Sequence, residues 1–163
     1  MTRHMQAITM KHPGAPEVLE SQTVTVAWPG DEDHVLVRLK AAGVNPADAY
    51  FRGFGPYVGD GKGCILGHDG AGVVEDVGPS VSRVKAGDEV CFCYGGIGAV
   101  PGTYAEFAVV PETLLVPKPP RISFIAAAAL PLVFITIWEA LFERARVTQG
   151  EYVLIHAGAG GTG

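Results

Sequence analysis

The stretch "EYVLIHAGAGGTG", residues 151–163, decides the fold of this chain. Gly158, Gly160 and Gly163 fit the G-x-G-x-x-G spacing, the turn that cradles a dinucleotide pyrophosphate when it follows a strand and opens a helix. The run before it, Tyr152 to Ile155, is continuously apolar, as in a strand covered on both faces. Upstream, "SFIAAAALPLVFITIWEALFERARV" (123–147) is alanine-rich and helical in spacing; Ser123 suits an N-cap and Gly150 a terminator. Helix, strand, glycine turn is the opening order of a doubly wound α/β domain. The helix after the third glycine and the acidic residue about 20 positions on are not in these residues. A buried strand without neighbours leaves its amides unpaired, so the expectation is a fragment, or a partner chain that supplies the rest.

Working back from residue 122, the texture is different. The chain has 163 residues, 48% hydrophobic and 18% charged, with 22 glycines and 12 prolines. That much Gly and Pro in so apolar a chain predicts turn-rich β structure rather than disorder. The segments "QAITM" (6–10), "QTVTVAW" (22–28) and "HVLVRLKAAGV" (34–44) alternate, the last with Val35, Val37 and Leu39 on one face. "GAGVVEDVG" (70–78) is small and apolar, as where backbones approach closely. "DEVCFCY" (88–94) and "YAEFAVV" (104–110) read as further strands, and "LLVPKPP" (114–120) breaks on its prolines. Short strands punctuated by Gly and Pro predict a closed or partly open antiparallel barrel.

The formal charge of −5 carries no basic patch, which argues against nucleic acid. Phe124 to Trp138 is uncharged but broken by Pro131, and falls short of the roughly 20 residues a bilayer span needs. Cys64, Cys91 and Cys93 are an odd set without framework spacing, which suits a reduced, cytoplasmic protein.

Five motifs occur in a characteristic order: "AAGVNPADAYFRG" (41–53), "GHDGAGVVEDVG" (67–78), "VKAGDEV" (84–90), "GTYAEF" (102–107) and "HAGAGGTG" (156–163). Together they resemble the medium-chain dehydrogenase/reductase superfamily over essentially the whole chain. The resemblance implies a GroES-like antiparallel barrel as the catalytic domain over 1–122, then the first helix–strand unit of an incomplete Rossmann domain over 123–163. It also implies a length about twice this one.

Within that superfamily the branch point is zinc. Where zinc members carry a cysteine ligand, a relay hydroxyl and a histidine, this chain has Asn45, Ala47 and Tyr50. Cys91 and Cys93 offer two ligands of the four a structural site needs. His68 stands where the zinc branch keeps a histidine ligand, with Asp69 beside it. These two are the alternative metal residues; the plainer reading of His68 is a packed ring, hydrogen-bonded inside the barrel.

"GVNPADAYFRG" instead resembles the zinc-free quinone oxidoreductase branch, the zeta-crystallin-like enzymes. By that resemblance Asn45 lies beside the nicotinamide, Asp48 braces the loop and Tyr50 lines the substrate cleft, with Phe54 and Tyr57 as cleft walls. Thr136 matches a helix threonine that reaches the nicotinamide amide; the plainer reading has it bonding its own helix carbonyl. Gly158, Gly160, Gly161 and Gly163 belong to the cofactor loop. Asp48 also reads as a simple turn cap, and the aromatics as core. Cys64 and Cys93 read as small buried fillers.

The implied activity is hydride transfer from NADPH, with NADH as the other candidate, to a quinone or α,β-unsaturated carbonyl. It needs no metal, in a protein that is a homodimer when intact. Two other readings stay open: a zinc-dependent alcohol dehydrogenase using His68, and a non-catalytic GroES-like binding module.

Overall fold

Strand β3 (His34–Ala42) feeds two cores, one from each face, and its alternation is the reason. Val35 and Val37 join Val74, Val90, Phe92, Val110 and Leu115, with Leu39 packed alongside. Leu36, between them, points the other way and joins Met5, Ala7, Val26, Ile65 and Phe107. The computed structural model describes residues 3–26, 28, 33–54, 64–97 and 100–163.

Around β3 lies a five-stranded antiparallel sheet in the order β7-β3-β5-β6-β8, formed by β5 (Asp69–Val77), β6 (Glu89–Cys93), β7 (Phe107–Pro111) and β8 (Val116–Pro117). A second, three-stranded sheet has the order β2-β1-β4, from β1 (Arg3–Met10), β2 (Glu20–Val26) and β4 (Cys64–Ile65). The two sheets share the second core, but the β-ladder between them is reduced to one isolated bridge, Ala7 to Ala105, so no closed barrel forms among the described residues. The strands expected from alternation are all present within a few residues. β8 is cut to two residues because Pro117, Pro119 and Pro120 give the ladder no N–H. The small residues of β5 are needed where expected: a Cβ on Gly72 would run into the Arg38 carbonyl of β3.

The helical region departs from expectation. Ser123 does cap α2 (Phe124–Ala128), its hydroxyl accepting from the Ala126 amide at 3.1 Å. Ala127 and Ala128 are buried against Ala71 and Cys91 of the large sheet. The single helix expected from 123 onward then stops, because Pro131 removes an N–H and crowds the preceding turn. It restarts as α3 (Pro131–Trp138) and ends in a π-helical turn, Glu139–Arg144.

Gly150 turns the chain at φ +95°. Beyond it, the strand expected at 151–158 is not formed: residues 151–155 pair with no strand, and Leu154 is 82% exposed. A strand is defined by its neighbour's hydrogen bonds, and none is offered here. The glycine segment is a pair of tight turns, with Gly160 N–H donating to the Ala157 carbonyl at 2.8 Å and Gly163 N–H to the Gly160 carbonyl at 3.2 Å. No described helix is long and apolar enough to cross a membrane.

Candidate active site

The loop from β3 into α1 (Pro46–Phe54) builds one wall of the site. Asn45 is the cap residue, Pro46 takes the first helical position that suits its fixed φ, and Asp48 sits at the third. From there the Asp48 carboxylate reaches back: Oδ2 accepts the Asn45 backbone N–H at 2.7 Å, half of a capping box. The same oxygen accepts the Tyr104 hydroxyl at 2.9 Å. Asp48 is buried, and the cap and the brace proposed for it are one interaction. Burial, then the hydrogen bond to Asp48, holds the Tyr104 hydroxyl well above the usual tyrosine range, so it remains a donor.

Asp69, the first residue of β5, is 1% exposed. Its Oδ2 accepts from Asn45 Nδ2 at 2.9 Å and its Oδ1 from the Leu132 backbone N–H at 2.9 Å. The Leu132 amide belongs to the first turn of α3, where N–H groups have no helical partner. Burial raises the Asp69 carboxyl above the ordinary aspartate value, and these two hydrogen bonds pull it part of the way back. Gly43 keeps this corner tight. A Cβ there would lie 2.8 Å from that of Asp69 and would strike the Ala128 carbonyl of α2.

Between these walls lies a cleft of about 470 Å³. Asn45, Thr136 and Gly161, widely separated in sequence, all line it, together with Asp69, Leu132 and Val133. The glycine segment reaches the cleft through Gly161, whose Cα region lies against Val133.

Other expected residues lie elsewhere. Tyr50 is 61% exposed and packs on Phe51 and Phe54 rather than lining this cleft. Phe54 is exposed, and Tyr57 lies outside the described residues. Asp48 is not among the residues that line the cleft. Gly158, Gly160 and Gly163 do not line it either, and Gly163 folds back onto Gly158. Thr136 does what the plainer reading expects, its hydroxyl donating to the Leu132 carbonyl at 2.8 Å, while also lining the cleft.

His68 is buried, with Nδ1 2.6 Å from the Gly95 carbonyl oxygen and Nε2 3.5 Å from Asp48 Oδ1. A carbonyl only accepts, so Nδ1 carries the proton. The Phe51 ring meets the imidazole edge-on at 5.5 Å. Both ring nitrogens face fixed groups, and the described residues bring no third metal-ligating side chain to them; this donor set does not fit a three-ligand zinc site. The Cys93 thiol is pushed up to about 12, first by burial and then by the Asp69 charge, which removes its nucleophilic form. Burial raises Cys64 and Cys91 as well.

Tyr104, Cys93 and the Leu132 amide were not legible as site groups. Tyr104 stands 56 residues from Asp48 and Leu132 stands 63 from Asp69, and no local spacing signals such pairs.

Residues 31–120 match the family described as "Alcohol dehydrogenase GroES-like domain". A curated quinone oxidoreductase of Mus musculus is 39% identical over 159 residues, covering 98% of this chain and 47% of that protein. Among solved structures, an alcohol dehydrogenase superfamily protein from Novosphingobium aromaticivorans superposes with TM-score 0.85 at 40% identity, covering 97% of this chain and 47% of that one. A quinone oxidoreductase from Pseudomonas syringae pv. Tomato gives TM-score 0.80 at 40% identity over the same shares. The chain thus spans about half the length of the curated relatives it matches.

Proposed function

The chain belongs to the alcohol dehydrogenase GroES-like domain family, and from that premise we propose that the full-length protein is an NADPH-dependent oxidoreductase reducing quinones or α,β-unsaturated carbonyls without a metal. The observation that carries this reading is the cleft itself: Asn45, Thr136 and Gly161 converge on it from three separate segments. The quinone oxidoreductases among its relatives supply the substrate class. We assign residues 1–122 to the catalytic GroES-like domain and 123–163 to the opening of a Rossmann domain.

The nicotinamide end of the cofactor fits the residues present, with Asn45 and Thr136 both lining the cleft. The pyrophosphate end is less prepared, since the glycine segment lies in tight turns with neither strand before it nor helix after it. When bound, the reduced nicotinamide supplies the hydride. The protein's part is to hold a flat apolar acceptor against it and keep water out, and Val133 and Leu132 give the cleft its apolar wall. A quinone or enone is already electrophilic, so the reading asks for no Lewis acid. The native state in this reading is a cytoplasmic homodimer.

The test is turnover by the full-length protein of NADPH, and separately NADH, with a panel of quinones and enones. Oxidation of the reduced cofactor that depends on the acceptor is the expected result. No oxidation with any member of the panel overturns the reading. Stoichiometric zinc that disappears in His68→Ala would replace it with metal-dependent alcohol chemistry.

A further inference from the structure

Among the described residues the Asp69 carboxylate has two hydrogen-bond partners, and both are donors: Asn45 Nδ2 and the Leu132 N–H. The two ends of an asparagine amide are nearly equal in shape and opposite in chemistry. A carboxylate accepts only, so it can face just the NH2 end of Asn45. The other end is then determined. Asn45 Oδ1 meets no donor among the described residues, and Asn45 lines the cleft. The second Asp69 oxygen holds the first turn of α3, the helix that carries Thr136, another residue of the cleft lining.

We propose that Asp69 is a positioning residue: it fixes the Asn45 amide so that its carbonyl oxygen is presented to the cleft, and it ties that loop to the start of α3. The cleft therefore selects a ligand group that brings an N–H or O–H to Asn45, such as a carboxamide or a hydroxyl, over a bare carbonyl. The ligand half of this inference rests on the proposed function; the amide orientation does not.

Asp69→Asn is the informative variant. The Leu132 amide is main chain and cannot turn, so the new side chain must keep its oxygen there and offer NH2 to Asn45. The Asn45 amide then turns over. In the 163-residue chain, side-chain amide NMR signals (Asn45 identified by their loss in Asn45→Asp) should show one wild-type N–H protected from solvent exchange. That protection disappears in Asp69→Asn. In the full-length protein, NADPH should bind about tenfold or more weakly in Asp69→Asn, the loss of one well-placed hydrogen bond. The double swap Asn45→Asp/Asp69→Asn restores a matched pair and again turns an acceptor oxygen to the cleft, so binding recovers; a merely structural role for Asp69 predicts no such recovery. An unprotected Asn45 amide in the wild type, which is readable whether or not any variant folds, overturns the proposal. So does unchanged protection in Asp69→Asn, or a double swap that binds no better than the single variant. If the wild-type amide is protected but the full-length protein binds neither NADPH nor NADH, the orientation stands and the functional reading fails.

Discussion

Val35, Val37 and Val110 in the large sheet are fully buried, whereas Leu154 and Tyr152, in an equally apolar run, stand 82% and 104% exposed. Hydrophobicity is the same in both regions; what differs is the presence of a neighbour. Each strand of the β region finds a partner that takes its N–H and C=O groups, so its apolar face can close over a core. Residues 151–155 find none, and without a ladder an apolar run has nothing to hold it extended or cover it. Apolar sequence makes a strand possible, and pairing makes it one.

That contrast can be broken most directly at Phe92, 1% exposed at the centre of the larger core. Phe92→Ala should cost about 3–5 kcal/mol of folding stability through lost burial and the cavity left behind. Urea unfolding of the 163-residue chain measures it, and a loss under about 1 kcal/mol would mean the core is not packed as described.

A smaller effect sharpens the boundary between the regions, where Asp69 joins sheet to helix. Burial holds its carboxyl above the ordinary aspartate value, so in the window between those two values the folded chain keeps a proton the unfolded chain has released. Stability from this group is fully present below the ordinary value and is lost as pH rises through the raised one. The stability of the wild type relative to Asp69→Asn should therefore fall with rising pH across that window. Urea midpoints at a series of pH values read this, and a difference that rises instead would reverse the assignment.

The smallest effect belongs to the exposed run. Leu154→Ala in the 163-residue chain should change stability by no more than about 0.5 kcal/mol, as at an exposed site without special contacts. A loss like that of Phe92→Ala would show that residues 151–155 are packed after all.

Alternation at 34–44 already placed Val35, Val37 and Leu39 on one face, and the Pro and Gly punctuation marked where strands stop. The cap that Asp48 makes on Asn45 was legible because the contact is local, three residues apart at a helix start, whereas a role in the site came to both only from the family motif. Ser123 was legible for the same reason. The break at Pro131 was written in the sequence too, and the chain ends one helix before it and starts another there.

By itself, then, the order of residues determined everything with short range: turn chemistry, helix caps, the face of each strand and the motifs that mark the family. Only the tertiary structure decided which distant donor each carboxylate holds, because Asp48 with the Tyr104 hydroxyl and Asp69 with the Leu132 amide meet across 56 and 63 residues. It also decided that the terminal apolar run stays unpaired and that two sheets share one bridge without closing. The reason is physical: backbone propensity acts over a few residues, whereas a ladder, a buried hydrogen bond or a cleft exists only once distant segments have been brought together.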